Sequence, residues 1–333
     1  MKRLLIMLSL LVVLLFLGLK PSYKKAEVIK GMTISCQTWG WEWGTDAMVD
    51  AMKELKTLGI NWISIHPYAG ISRDGTVRFR RGRSNENVQW LTRPIEEAHR
   101  LGLKILIKPH LSYWRSGYSW RGEIEFKTDE EWNRFFTTYS QWIEDLAVIC
   151  KNADAFVVGT ELDKTIHYES RWREIIQILR ENFSAPITYA ANWTDYERIP
   201  FWDALDVIGI QAYFPLLDPS VKPNKKLLET SWKIKLKELN QFAETHNRPI
   251  VFTEIGYDVS TYAPYKPWET GDYRPGAEEI QKLCLSAALE ALSKDDQVIG
   301  AFLWKWFAGE TRHADFLKST PAMRKVIKDN WGE

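Results

Sequence analysis

From Gly31 onward, short β-branched or apolar runs alternate with longer segments whose apolar residues recur at helical spacing. The runs predict strands over 32–39 (MTISCQTW), 60–66 (INWISIH), 103–110 (LKILIKPH), 155–161 (AFVVGTE), 187–192 (ITYAAN), 206–213 (DVIGIQAY), 249–254 (PIVFTE) and 298–304 (VIGAFLW). The helical segments include DAMVDAMKELKTLG, DEEWNRFFTTYSQWIEDLAVIC, KLLETSWKIKLKELNQFAETH and GAEEIQKLCLSAALEALSK. YERIPFWDAL, between the fifth and sixth strands, is the weakest helical pattern, because it is short and carries Pro200. Eight strand-then-helix units imply parallel strands closed into a (β/α)8 barrel. No composition shift or low-complexity linker interrupts residues 31–333, so one domain is expected.

Connection lengths are asymmetric. Helix-to-strand links such as Leu58-Gly59-Ile60 and Leu101-Gly102-Leu103 are minimal, with glycine where a helix C-cap favours it. Links leaving strands are long and decorated, with Trp114, Tyr118 and Trp120 in one and Tyr262, Tyr265, Trp268 and Tyr273 in another. In such a barrel all strand-leaving links share the face where active sites are built, so a ligand groove is expected there.

Alternation along the fourth strand sets Ala155, Val157, Gly159 and Glu161 on one side, read as the barrel interior. The seventh strand is read likewise, with Ile250, Phe252 and Glu254 inward. Trp39, His66, His110, Asn192, Tyr213 and Trp304 are expected at the remaining strand ends, with Lys108 on the row of His110. A single histidine in such a place is usually hydrogen-bonded scaffolding. Two carboxylates are harder to explain by structure, because burying them is costly unless they are paired or employed. Asp163 and Lys164, just past the fourth strand, are expected to form local loop salt bridges.

Two carboxylates across a cavity can cleave a glycosidic bond. One protonates the departing oxygen; the other attacks the anomeric carbon or activates water, according to their separation. Environment must push the two pKa values apart. Histidine or aspartate company at metal-ligand spacing is missing, and so is a Gly-rich phosphate loop; no metal or cofactor is expected.

GTEL at the fourth strand, TEIGY at the seventh and FLWKWF at the eighth resemble the clan A glycoside hydrolases. With GMTISCQTWGWEWGT and IGIQAYFPL added, the chain from Gly31 to about Asn330 is most similar to glycoside hydrolase family 113, whose known members are β-mannanases. The resemblance implies retaining double displacement, with Glu161 as general acid/base and Glu254 as nucleophile. It further implies that Tyr213 orients the nucleophile and Trp304 floors the cleavage point, with Asn192, His110, His66 and Lys108 as substrate-binding candidates; Trp39, at its strand end, is a further candidate. Two departures stand out: Thr160 occupies the position where much of the clan has asparagine, and IHPYAG lacks the arginine many members carry near the second strand. Alternatives are the same chemistry on a β-glucan, xylan or galactan, or a non-catalytic carbohydrate-binding barrel.

Composition refines this picture. The 44 basic and 43 acidic residues nearly cancel, which leaves no electrostatic case for a nucleic-acid partner. The expected partner is a polysaccharide or oligosaccharide, and the expected state a monomer. Tryptophan occurs 17 times, read as core filler and, in loops, as flat platforms for a ligand. Three cysteines, Cys36, Cys150 and Cys284, match no metal or disulfide spacing. The stretch RDGTVRFRRGRSNEN is read as a solvated loop or small hairpin, or as a charged rim for acidic decorations on a polysaccharide. Residues 1–25 join a basic start to the uncharged run Leu4–Leu19, expected to be a signal peptide or membrane anchor. Export is expected, to the medium, the periplasm or the cell surface.

Overall fold

A computed structural model describes residues 27–80, 88–114 and 116–332. The predicted N-terminal signal or anchor lies outside the described residues. Strands β1 (Ile29–Ser35), β2 (Trp62–Ile65), β5 (Lys104–Ile107), β7 (Ala155–Thr160), β8 (Ile187–Asn192), β9 (Ile208–Gln211), β10 (Ile250–Ile255) and β11 (Val298–Phe307) close into one barrel in the order β1-β11-β10-β9-β8-β7-β5-β2. The ladders around it are parallel. This is the predicted (β/α)8 barrel, with several strands shorter at the mouth than the apolar runs implied. Trp39 lies beyond β1 rather than at its end, and Trp304 lies inside β11.

Outside the barrel run α1 (Asp46–Thr57), α2 (Gln89–Arg100), α3 (Asp129–Ile149), α4 (Glu169–Asn182), α5 (Lys225–His246), α6 (Ala277–Leu292) and α7 (Pro321–Trp331). Local signals set their starts. Thr128 and Glu131 form a reciprocal capping box on α3, and Asn224 and Thr320 cap α5 and α7. The fifth unit departs from the eight-helix expectation. Between β8 and β9 the chain makes only two 3-10 turns, Tyr196–Arg198 and Trp202–Ala204. Pro200 explains the break: it pushes the preceding residue away from helical geometry, and Ile199 is extended at φ −71°, ψ 115°.

Trp142, Trp172, Trp202 and Trp232 are fully buried, so much of the tryptophan excess fills the core outside the barrel. Val157, Ala190, Val251, Leu106 and Phe302 plug the interior. That plug corrects the phase of the two glutamate strands. Val157 faces inward as expected, but Gly159 faces the helices, where a β-carbon would meet Trp172 and Tyr189. In β10 the inward residue is Val251, while Ile250 and Phe252 pack in the outer layer. The register shifts between Val157 and Thr160 and between Phe252 and Glu254. A bulge adds one residue to one strand and inverts the alternation beyond it, which turns Glu254 to the mouth; Glu161 lies past the end of β7 and takes its direction from a left-handed backbone instead.

Two strands, β3 (Tyr68–Ile71) and β4 (Val77–Phe79), form an antiparallel hairpin over the mouth, and β6 (His110–Ser112) adds parallel to β3. Part of the arginine-rich stretch is therefore a hairpin; residues 81–87 lie outside the described residues.

The two minimal links offer a controlled comparison. Gly59 and Gly102 both have positive φ, 88° and 70°. A β-carbon on Gly59 would lie 2.0 Å from the Trp331 carbonyl oxygen, whereas on Gly102 its nearest neighbour is Lys56 Nζ at 3.7 Å. Gly102→Ala is expected to cost only the backbone strain, roughly 1–2 kcal/mol. Gly59→Ala must also displace α7 and should lower the melting temperature clearly more. Equal shifts in thermal unfolding would refute this account.

Candidate active site

Glu254 sits in β10 near the mouth, buried among three partners. The Tyr213 hydroxyl donates to its Oε2 at 2.8 Å, and the Lys108 ammonium forms a short ion pair with Oε1. His110 Nε2 lies 3.7 Å from the same oxygen. The backbone fixes Tyr213 in this place, since the adjoining Ala212 N–H donates to the Glu254 carbonyl at 2.7 Å. Lys108 has no exposed side-chain surface and also donates to the Thr253 carbonyl at 3.1 Å. Burial pulls its pKa down and the Glu254 carboxylate pulls it back. Removing either charge alone would strand the other, at about 3–5 kcal/mol.

Glu161 reaches the mouth differently. It follows β7 with φ 49°, a left-handed backbone that a non-glycine residue adopts at a cost. Its N–H is held by the Ala190 carbonyl at 2.9 Å. Burial raises its pKa; Arg121 opposes this, and the Glu254 charge reinforces it. Arg121 Nη1 donates to Glu161 Oε2 at 2.7 Å, and Arg121 Nη2 lies 3.3 Å from His110 Nδ1. Because a guanidinium only donates, His110 Nδ1 accepts and its proton belongs on Nε2, toward Glu254. Arg121 thus links Glu161 to His110, whose Nε2 faces Glu254, and Glu161 feels the Glu254 charge.

His66 and His110 stack with ring centroids 4.9 Å apart. Burial holds both well below the usual histidine range, and Lys108 and Arg121 add to it, so both are neutral near pH 7. His66 Nε2 lies 3.1 Å from Ser35 Oγ. The half-buried Trp304 indole lies 5.3 Å from His66 and 6.0 Å from His110, with Lys108 Nζ 5.0 Å from its centroid. Six predicted residues therefore converge with Glu161: Lys108, His66, His110, Tyr213, Glu254 and Trp304. Trp39 joins only through an edge contact with Tyr68 at 6.4 Å. Asn192 ends β8 half-buried, and its side-chain Oδ1 accepts one long bond, from Thr194 N at 3.4 Å. Among the described residues no cluster of three or more His, Cys, Asp or Glu side chains is placed to share a metal ion.

Sequence reasoning missed Arg121 and Tyr68. Arg121 lies on a 3-10 turn inside a long link, where only its charge could have marked it. Tyr68 lies in β3 within 5.1 Å of the His66 ring and 5.9 Å of His110. Both departures from the clan pattern gain a local account. Thr160 turns its hydroxyl to the Pro109 carbonyl at 3.0 Å, away from the mouth. The cation beside Glu254 comes from Lys108, just past the third barrel strand, rather than from an arginine on the second. Asp163 is not the ion-pair partner expected. Burial and the neighbouring Asp195 push its carboxyl up to about 8.

On the far side of the mouth Trp193 and Trp268 stack at 5.4 Å and 19°, and Trp268, Tyr262 and Tyr273 are exposed. Flat exposed rings beside paired carboxylates suit a sugar chain.

Solved structures share the fold of this barrel. A β-mannanase from Alicyclobacillus acidocaldarius, solved with the ligand ManMIm, is 24% identical; the match covers 92% of this chain and 97% of that one, with a TM-score of 0.78. A β-1,4-mannanase of family 113 superposes with a TM-score of 0.79 at 22% identity, over 92% and 99% of the two chains. A family 5 mannosidase from Rhizomucor miehei shares the fold at 12% identity and a TM-score of 0.61, over 92% and 93%. None of the proteins with curated functions matches the chain in sequence. The chain's own sequence is decisive: residues 32–319 match the profile of Glycoside Hydrolase Family 113. The chain belongs to that family, and the protein is a glycoside hydrolase.

Proposed function

We propose that the protein is an exported, retaining β-1,4-mannanase that works by double displacement. The observation that carries the reading is the unequal setting of the two glutamates. Glu254 is held by Lys108 and Tyr213 as an oriented carboxylate, the state a nucleophile needs. Glu161 has its pKa raised by burial, the state an acid needs. In the first step Glu161 gives its proton to the glycosidic oxygen while Glu254 attacks the anomeric carbon. The carbon–oxygen bond breaks and a glycosyl ester forms. In the second, Glu161 takes a proton from water, the water oxygen attacks the same carbon, and Glu254 leaves as carboxylate. Tyr213 orients the nucleophile and Trp304 supplies the floor for the reacting sugar.

The mannan assignment rests on membership of family 113 and on the β-mannanases among the structural relatives. The exposed rings beyond Glu161 favour a chain over a single sugar. Residues 1–25 fit an export signal or anchor that would bring the enzyme to a polymeric substrate.

Reducing-end release on β-1,4-mannan, β-glucan, xylan and galactan tests the reading. Mannan is expected to be cut preferentially, with proton NMR showing the β-anomer formed first. Preferred release from another polymer would overturn the substrate, and an α-anomer formed first would overturn the retaining mechanism.

A further inference from the structure

Beside Trp304 a cavity of about 610 Å³ opens under the β3–β4 hairpin, a size suited to a ligand. It draws its walls from the mouth ends of β1 and β11, from β6 and from the hairpin, across the ring from β7 and Glu161. Its chemistry is one-sided. Arg78, Arg80 and Lys305 line it, and no aspartate or glutamate does. In a chain with nearly equal acids and bases, that is a local separation of charge.

The hairpin's sequence makes this separation deliberate in its geometry. Val77 is buried and Phe79 packs against Trp90 and Trp142, at 6.2 and 6.3 Å. Strand alternation then commits Arg78 and Arg80 to the opposite face, over the cavity. Gly70 stands opposite Arg78 in the ladder, and a β-carbon there would meet nothing within 4 Å. The space before Arg78 is therefore open. The Arg80 guanidinium lies 5.1 Å from the Trp39 ring centroid, so an apolar platform and a cation meet at one wall. Lys305 is half-buried, with Nζ 5.6 Å from the Trp304 centroid, and burial lowers its pKa despite Asp315 and Glu254 nearby. Among the described residues none of these three cations has a carboxylate within 4.0 Å, whereas Lys108 and Arg121 each have one. Cations that share a cavity with aromatic walls and have no carboxylate partner among the described residues are arranged to receive an anion.

We infer that this cavity binds an anionic sugar residue, bearing a carboxylate or a sulfate ester, on the non-reducing side of the cleaved bond. The anion pairs with Arg78 and Arg80 while the sugar ring lies against Trp39. The side of the bond follows from the proposed function: Glu161 protonates the departing sugar, so the sugar across the ring is the one kept on the enzyme. The anion preference itself does not depend on that reading.

Calorimetry on the full chain carrying Glu254→Gln, which silences turnover, tests the inference with three β-1,4-linked tetrasaccharides: neutral mannose, mannuronate, and mannose sulfated at O6. At least one acidic ligand is expected to bind tenfold or more tighter than the neutral one at low salt, with the advantage shrinking as salt rises. Whether mannuronate or sulfated mannose prevails identifies the acid. Arg78→Ser with Arg80→Ser should erase the advantage and leave neutral binding unchanged, while lysine at both positions should keep most of it. Equal or weaker binding of both acidic ligands, or an advantage that survives the double serine variant, overturns the inference. Failure of the unmodified enzyme to cut any mannan would instead remove the mannanase reading, and an anion advantage lost in the double serine variant would still stand.

Discussion

Glu254→Ala is expected to lower kcat on β-1,4-mannan by on the order of 10⁴-fold or more, since it removes the carboxylate proposed to form the glycosyl ester. The structure adds a second expectation. Glu254 is the counter-ion of the buried Lys108, so the alanine variant should also melt earlier, by the cost of an unpaired buried ammonium. Glu254→Gln keeps the shape and supplies the control. It should be as inactive as the alanine variant, because an amide is no nucleophile. Reducing-end assays and thermal unfolding measured together separate chemistry from stability. Turnover within tenfold of the unmodified enzyme in either variant would remove Glu254 from the reaction.

Glu161→Ala is expected to cost about 10²–10⁴-fold, the usual worth of a general acid/base. The loss should depend on the leaving group. An aryl mannoside, which departs with little protonation, should suffer mainly in the second step, and azide should restore turnover by replacing the activated water. The product would be a glycosyl azide of unchanged anomeric configuration. No rescue and no azide adduct would contradict the role. The pH profile carries a further sign. Glu161 must be protonated to act as an acid, and burial raises its pKa, so activity should persist to higher pH than an ordinary glutamate allows. Arg121 favours the ionised form. Arg121→Met should therefore move the alkaline limb of kcat/KM upward, whereas a purely structural role would lower the whole profile without moving the limb.

The sequence was legible where a signal is local and repeated. Eight apolar runs, glycine at the short links and glutamates ending two runs sufficed for a barrel with an acidic pair at one face. It was illegible where geometry overrides local pattern. Alternation pointed Glu254 to the mouth by way of Ile250 and Phe252, yet those residues face the helices, and a bulge inverts the phase before Glu254. The right destination came from a wrong path, because a bulge leaves no mark in the hydrophobic pattern. Arg121 shows a different gap, and so does the role of Lys108, which was legible as a site residue but not as the partner of Glu254. Each is an ordinary basic residue in sequence, and only tertiary closure sets it against a carboxylate. The missing fifth helix was foreshadowed by Pro200, a covalent signal that needs no tertiary context.

The two glutamates hang from non-adjacent staves of a ring that has no free edge, so parting any stave breaks the closure that sets their spacing. Heat inactivation should accordingly coincide with global melting rather than precede it.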